Sequence, residues 1–349
     1  MAPRAGRIRI AVDAMGSDHG PEPIVRGAIE ALRDPERDFD LLLVGDEQRL
    51  WEILAELAPE TLPLYVVHAR EEVAMDEKAP RALRTKRGSS IAVSAGLVGA
   101  GRAQALVSAG NTGAVVATSL IQLGRMAGIQ RPAIATTFPT SRGQCVLLDV
   151  GANADCKPLQ LYQFGHMGRV FAQLLLGIEN PRVGLLNIGE EPNKGSQLAQ
   201  GAYQLLDQSR ATLNFVGNVE GRDILAGRAD VLVCDGFTGN VILKLAGSVA
   251  TVGGRMVAQE IRRSPLLGLG ALLMKPALSG LKRRFDYEEY GGALLLGTRG
   301  ISIIGHGRSS PRAIANAIRV AVRAVRRDLE GEIARVLQVP EARPRVVAL

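Results

Sequence analysis

Aromatic residues are scarce, with 7 Phe, 5 Tyr and 1 Trp among 349 residues. A core must therefore be aliphatic, and the 46% hydrophobic content is enough to build one without a disulfide or a structural metal. Cysteine is nearly absent. Cys145, Cys156 and Cys234 have an odd count and no CxxC spacing, which argues against a disulfide framework or a zinc site and suits a reducing cytoplasm. Arg4 and Arg7 are not followed by an apolar region, and no unbroken run of about 18 apolar residues occurs, so neither a secretory leader nor a membrane span is expected.

Familiar catalytic motifs are missing too. The nearest approach to GxGxxG, at Gly96, Gly99 and Gly101, has the wrong order, and Lys194 precedes Gly195 where a P-loop would have it follow. Neither HExxH nor GxSxG occurs, and His19, His68, His166 and His306 are widely spaced. A Rossmann dinucleotide site, a P-loop kinase and a covalent nucleophile are thus disfavoured. Both His68 and His166 read as structural, His166 as a satisfied core or interface residue.

What the chain does have is a recurring pattern in which a short apolar run ends in a knot of Gly, Asn, Asp and Lys. The instances are IRIAVDAMGSD, ALVSAGNTG, VLLDVGANADCK, VGLLNIGEEPNKG, NFVGNVEGRD and VLVCDGFTGN. The runs are continuous rather than alternating, as expected of parallel strands covered by helices on both faces. Strands are expected at 8–12, 41–44, 64–68, 105–107, 133–137, 146–150, 183–187, 214–216, 231–234 and 301–304, separated by helical patterns. The fold class is α/β, three layers with a mostly parallel sheet. Ligands of such sheets bind beyond the carboxyl ends of the strands, where all these knots fall.

Gly-rich turns let backbone approach an anion, and a following helix aims N–H groups at it. Ser108, Gly110, Asn111, Thr112 and Gly113 fit such a cradle, and equally a plain capped turn. Lys157, Lys194, Arg222 and Lys244 each follow a knot, and together they would line an anion-binding cleft. Carboxylates in the same loops would orient these cations or hold Mg²⁺. Lys plus Arg number 42 against 35 Asp plus Glu, a net charge of +7 that favours an anionic partner. Nucleic acid is a weak choice, since no basic stretch interleaved with aromatics is present.

Residues 1–340 are expected to form one two-lobed body with a tail at 341–349. A basic, apolar helical excursion spans 262–285, with six basic residues and no carboxylate between Arg262 and Phe285. There Leu266, Leu267, Leu269, Leu272 and Leu273 suit either contact with an anionic membrane or a dimer-interface hairpin. A long helix is expected over 239–263, and a single last helix over 311–337.

Asp13 to His19, Ser108 to Gly113, Asn187 to Glu191, Phe215 to Asp223 and Asp235 to Asn240 together resemble the PlsX family of acyl-ACP:phosphate acyltransferases. Ser17 stands where that family commonly has glycine, and Arg308 interrupts a more usual His-Gly-Ser-Ser run. The resemblance implies a fold like that of isocitrate and isopropylmalate dehydrogenases, related to phosphotransacetylase, with a deep cleft and a homodimer. It implies that inorganic phosphate attacks the thioester of a long-chain acyl-acyl carrier protein without a cofactor. The acyl phosphate then feeds a downstream glycerol 3-phosphate acyltransferase, in the cytoplasm or at the inner face of the cell membrane.

Resemblance and loop placement together nominate Lys157, Lys194, Asn218, Arg222 and His306 as catalytic. Around the phosphate they nominate Asp13, Gly16, Ser108, Gly110, Asn111, Thr112, Gly113, Asn153, Gly189, Asn193, Asp235, Thr238 and Asn240. Asp13 and Asp235 would orient the others. The alternatives are a short-chain phosphate acyltransferase using acyl-CoA, a metal- and NAD-dependent dehydrogenase of the same fold, and a non-catalytic scaffold.

Overall fold

The structure is a computed structural model that describes residues 6–34, 38–58, 62–263, 265–277, 280 and 290–338. Eleven strands form one sheet among the described residues. In chain order they are β1 (Ile8–Asp13), β2 (Phe39–Gly45), β3 (Leu64–His68), β4 (Ala105–Ser108), β5 (Ala133–Thr140), β6 (Gly143–Leu148), β7 (Val183–Leu186), β8 (Phe215–Val219), β9 (Val231–Val233), β10 (Ala293–Leu296) and β11 (Ile301–Ile304). Their spatial order is β3-β2-β1-β4-β11-β10-β5-β6-β9-β7-β8.

Both faces of the sheet are covered, which is why the strand sequences run apolar without alternating. From β1, Ile10 and Val12 enter one core and Ala11 the other, and Val146 and Leu148 are divided from Leu147 in the same way on β6. The first core is shared with α1 (Glu22–Leu32), α2 (Glu47–Leu57), α6 (Pro158–Leu176), α7 (Gln197–Gln208), α12 (Pro311–Arg326) and α13 (Leu329–Gln338). The second is shared with α3 (Ala79–Thr85), α4 (Ser90–Gly99), α5 (Thr112–Gln122) and α9 (Gly221–Ala226). A four-residue α8 (Arg210–Leu213) follows α7.

One strand is absent from the sequence expectations, and the antiparallel pairing of β5 with β6 sets the two halves of the sheet in opposite directions. β10, the run ALLL after Gly291-Gly292, pairs antiparallel with both β11 and β5, and β5 pairs antiparallel with β6. The chain direction thus reverses three times between β11 and β6. β1 to β4 and β11 run one way, while β6 to β9 run the other. Each polar knot does lie at the carboxyl end of its strand, but the knots form two sets.

The expected last helix is also broken. Asp328 takes a left-handed φ of +50° between α12 and α13, and its Oδ1 accepts the Gly331 N–H at 3.3 Å. An aspartate that caps the next helix can end the previous one without Gly or Pro, which hides the boundary from a periodicity argument.

Beyond the sheet stands α10 (Gly236–Arg262), 27 residues of which only Gly236 and Gly239 are buried. Val241, Leu245, Val249, Val252 and Met256 are exposed along it at helical spacing. Contrary to the expectation that no segment suffices, α10 is long and apolar enough to cross a membrane by length and composition alone. Its first turn is nevertheless fixed to the sheet: the Gly236 N–H donates to the Asn153 carbonyl at 2.8 Å. The helix α11 (Pro265–Leu273) follows, with Leu267, Leu269, Leu272 and Leu273 exposed. The side chain of Leu266, residues 278–279 and 281–289, and the tail at 341–349 lie outside the described residues.

Candidate active site

The first set of loops gathers at the ends of β1, β4 and β11. Asp13, last in β1, is wholly buried and accepts from the Ser108 hydroxyl at 2.6 Å and from the Met15 N–H at 3.2 Å. Burial pushes its carboxyl above the usual range, and the Ser108 hydrogen bond opposes the shift. Ser108 Oγ in turn accepts the Gly110 N–H at 3.1 Å. A Cβ on Gly16 would lie 2.6 Å from Asp13 Oδ2 and 2.7 Å from Gly110 N, so these two loops can touch only because position 16 carries no side chain.

Asn111 caps α5 through Oδ1, which accepts the Ala114 N–H at 3.0 Å. Its Nδ2 donates to the carbonyls of Met75 and Glu77 at 2.9 Å and of Ala74 at 3.4 Å. The whole carboxamide is therefore engaged in holding loop 74–77 beside the site. Thr112 and Gly113 are exposed in the first turn of α5, whose N–H groups no intrahelical carbonyl reaches.

Loop 305–310 closes this set. The Ser17 hydroxyl and the Asp18 N–H donate to the Gly307 carbonyl at 3.1 and 2.8 Å, and Arg308 pairs with Asp18 at 3.8 Å. The two departures from the family pattern, Ser17 and Arg308, thus lie on the same loop contact. His306 is exposed, and its Nδ1 accepts the Arg308 N–H at 3.3 Å.

The second set lies at the ends of β6, β7, β8 and β9. Asp149, wholly buried, accepts N–H groups of Ile134, Gly151 and Ala152 on Oδ1 at 3.0 Å each. Its Oδ2 accepts the Asn153 N–H and Nδ2 at 2.7 and 2.8 Å, and Asn153 Nδ2 also reaches the Pro132 carbonyl at 2.7 Å. Asn153 is thus part of the scaffold that shapes the loop. Any Cβ on Gly239 would overlap the Asp149 carbonyl, so α10 can start here only with glycine. Asp235 caps that helix, accepting from the Thr238 N–H at 2.9 Å and the Thr238 hydroxyl at 2.8 Å, and Asn240 sits beside Gly151.

Asn187 closes loop 187–194 by donating to the Lys194 carbonyl at 3.0 Å, and Gly189 is buried beneath the Lys194 stem. Asn193 is exposed and its carbonyl accepts from Gln200 at 2.9 Å. Asn218 is 1% exposed. Its Nδ2 donates to the Glu191 carbonyl at 2.8 Å, while Oδ1 has no partner among the described residues.

The cations divide into paired and unpaired. Arg222 is bound to Glu220 at 3.1 Å and lies 4.0 Å from Glu190. Arg228, which no motif had singled out, forks onto both oxygens of Glu190 at 2.5 and 3.1 Å and holds that carboxyl below the usual range. Nothing in the spacing pairs residues 38 positions apart. Lys157 and Lys194 are exposed and form no ion pair among the described residues, and Lys244 is exposed further along α10.

The thiols are chemically quiet. Burial first, then neighbouring carboxylates, push Cys145 and Cys156 up to about 12 and Cys234 well above its usual value. His166 is buried as expected, but neither ring nitrogen has a hydrogen-bond partner among the described residues, a correction to its expected satisfaction. Its ring sits edge-on to that of Tyr162, and burial, then Arg169, lowers its pKa to about 4.

A family of fatty acid synthesis proteins matches residues 8–331. The chain is 53% identical over 322 residues to a phosphate acyltransferase of Heliobacterium modesticaldum, covering 92% of this chain and 95% of the relative. It is 52% identical over 322 residues to a phosphate acyltransferase of Moorella thermoacetica, covering 92% and 94%. Among solved structures, a phosphotransacetylase from Streptococcus pyogenes superposes with a TM-score of 0.60 at 16% identity, covering 93% of this chain and 96% of that one, a likeness of fold. With the motifs of both loop sets lying inside the matched span, the chain belongs to the fatty acid synthesis protein family, the PlsX family its loops resemble.

Proposed function

We propose that this chain is a phosphate acyltransferase that moves a long-chain acyl group from the thioester of an acyl carrier protein to inorganic phosphate. The observation that carries this is the 53% identity over 92% of the chain to a phosphate acyltransferase. A phosphate oxygen forms a bond to the thioester carbonyl carbon, and the carbon–sulfur bond breaks. The electron pair leaves on sulfur, which takes up the proton the phosphate loses. A thiol of pKa about 8.5 is a competent leaving group, so the protein's task is positioning and charge stabilisation.

The chemistry of the loops supports this. Phosphate is itself the nucleophile, in keeping with three thiols held protonated. Lys157 and Lys194 supply unpaired positive charge, and the first turn of α5 supplies N–H groups. Adjacent strands rotate by roughly 20–25°, so five steps from β4 to β9 turn the sheet through about 100–125°. Such a twist lessens the opposition of the two strand sets, and in the proposed enzyme the two loop sets would flank one cleft. Asp13 and Asp149 act from beneath as rigid supports for the loops.

A homodimer and a membrane contact belong to the same proposal. The exposed stripe Val241, Leu245, Val249, Val252 and Met256 suits a second copy of α10, and Leu267, Leu269, Leu272 and Leu273, beside Arg262 and Arg263, suit an anionic lipid surface. The enzyme would then work on the cytoplasmic face of the membrane and release acyl phosphate where a glycerol 3-phosphate acyltransferase consumes it.

The test is phosphate-dependent release of free thiol from palmitoyl-acyl carrier protein, with the acyl phosphate trapped by hydroxylamine. Release with a trapped hydroxamate is the expected result. Absence of release by folded protein at any phosphate concentration would overturn the proposal. For the surface, Leu269→Glu is expected to abolish pelleting with anionic liposomes while leaving the dimer intact.

A further inference from the structure

Resting on that function, we infer that the edge formed by α3 and its flanks, Lys78, Arg81, Arg84 and Arg87, is where the acidic carrier protein docks. Residues 78–87 carry five cations and no carboxylate. Lys86 is internal to the fold: its Nζ pairs with Glu77 at 2.7 Å and donates to the Glu72 carbonyl at 2.9 Å, fixing the loop on which the segment stands. The other four are exposed and have no ion pair among the described residues. They follow one another every three residues over a short helix and its ends, about 15 Å of chain at helical rise.

This edge adjoins the site. The Glu77 carbonyl, one residue before Lys78, accepts from Asn111 at 2.9 Å. Ala79 Cβ lies 3.4 Å from where a side chain on Gly113 would begin, in the first turn of α5. A protein seated on the basic row would therefore hold a thioester on a flexible arm next to the first set of loops.

Other basic stretches lack this combination. On α12, Arg319 pairs with Asp34 at 3.9 Å and Arg326 with Asp38, and its last turn is about 24 Å from Ser310 by helical rise. Arg263 pairs with Glu260 at 2.8 Å, at the far end of α10. Among these basic stretches of the described residues, the α3 edge joins unneutralised charge to proximity. Unpaired exposed cations gain more from a carboxylate-rich partner than cations already neutralised, and they steer its approach over a Debye length of about 10 Å in 0.1 M salt.

The experiment compares two acyl donors on the full-length protein: palmitoyl-acyl carrier protein and a small palmitoyl-pantetheine thioester. The variant is Arg81→Glu, Arg84→Glu, Arg87→Glu combined, with its melting curve checked against the parent. We expect kcat/KM for the carrier-borne substrate to fall about tenfold or more at low salt, mainly through KM, with the gap narrowing in high salt. For the small thioester it should stay within about twofold. An equal fall for both donors, or no fall for either, would overturn the docking surface. Fluorescence anisotropy of labelled holo-carrier, which needs no turnover, gives the second measurement: parent-level binding by the variant would overturn the surface even if the acyl transfer itself were not observed. Failure of the parent to transfer any acyl group would count against the function, and the binding comparison would still decide the surface.

Discussion

Ser108 Oγ lies 2.6 Å from Asp13 Oδ2, joining residues 95 positions apart at a point where the carboxylate is wholly buried. Since Asp13's folded pKa is raised, the stability this group contributes is full below its ordinary value of 3.8 and declines as pH rises through the raised one. Asp13→Asn keeps an acceptor for the Ser108 hydroxyl and removes a buried charge. Thermal melts at pH 8 are expected to show equal or higher stability, while turnover in the hydroxamate assay falls about tenfold or more because the orienting charge is gone.

The unpaired lysines should matter more than the paired arginine. Lys157→Ala and Lys194→Ala are each expected to lower kcat/KM for phosphate by about 10². Arg222→Ala, which removes a cation already engaged with Glu220 at 3.1 Å, should cost only a few-fold. Phosphate titrations of the three folded variants make the comparison. Near-parental kinetics for all three would remove these residues from the site.

Gly239 should tolerate no side chain. Alanine there drives Cβ into the Asp149 carbonyl, and the loop cannot yield because the Asp149 carboxylate already holds four N–H groups and a carboxamide. A loss of about 3 kcal/mol or more in urea unfolding is expected. Gly247→Ala, where open space surrounds the position on α10, serves as the control and should be neutral or slightly stabilising.

His166 should make the fold acid-sensitive. Its folded pKa of about 4 lies below the ordinary 6.5, so the unfolded chain takes up the proton first as pH falls. The contribution is full above pH 6.5 and is lost between 6.5 and 4, on the order of 3 kcal/mol in all. His166→Phe keeps the edge contact with Tyr162 and removes the titration. Urea midpoints at pH 7.5 and pH 5 should differ less for this variant than for the parent.

Much of the fold was legible because strand runs and turn knots are local. Val146, Leu147 and Leu148 look like a strand buried on both faces and are one. Asp235 and Thr238 lie close enough in sequence to announce a capped helix. β10 was not legible, because four residues after two glycines carry too little pattern, and neither was the antiparallel pairing of β5 with β6, the reversal that divides the loops into two sets. The break at Asp328 was hidden because its cap lies within an otherwise continuous helical stripe.

The site was legible as a list of loops and not as a division of labour. Asn111 and Asn153 look like anion ligands in sequence, and in space their amides brace loop 74–77 and the Pro132 carbonyl. Arg222 looks like a free cation and is paired, whereas Arg228 drew no notice and grips Glu190.

By itself, the sequence determined the α/β class, the aliphatic core and the chemistry available at each strand end, because propensity, burial pattern and turn preference act over a few residues. Tertiary structure alone decided which strand ends share a side, which charges cancel and which buried groups lack partners. Those outcomes depend on contacts such as Asp13 with Ser108 or Glu190 with Arg228, where strand pairing brings together groups that no local rule connects.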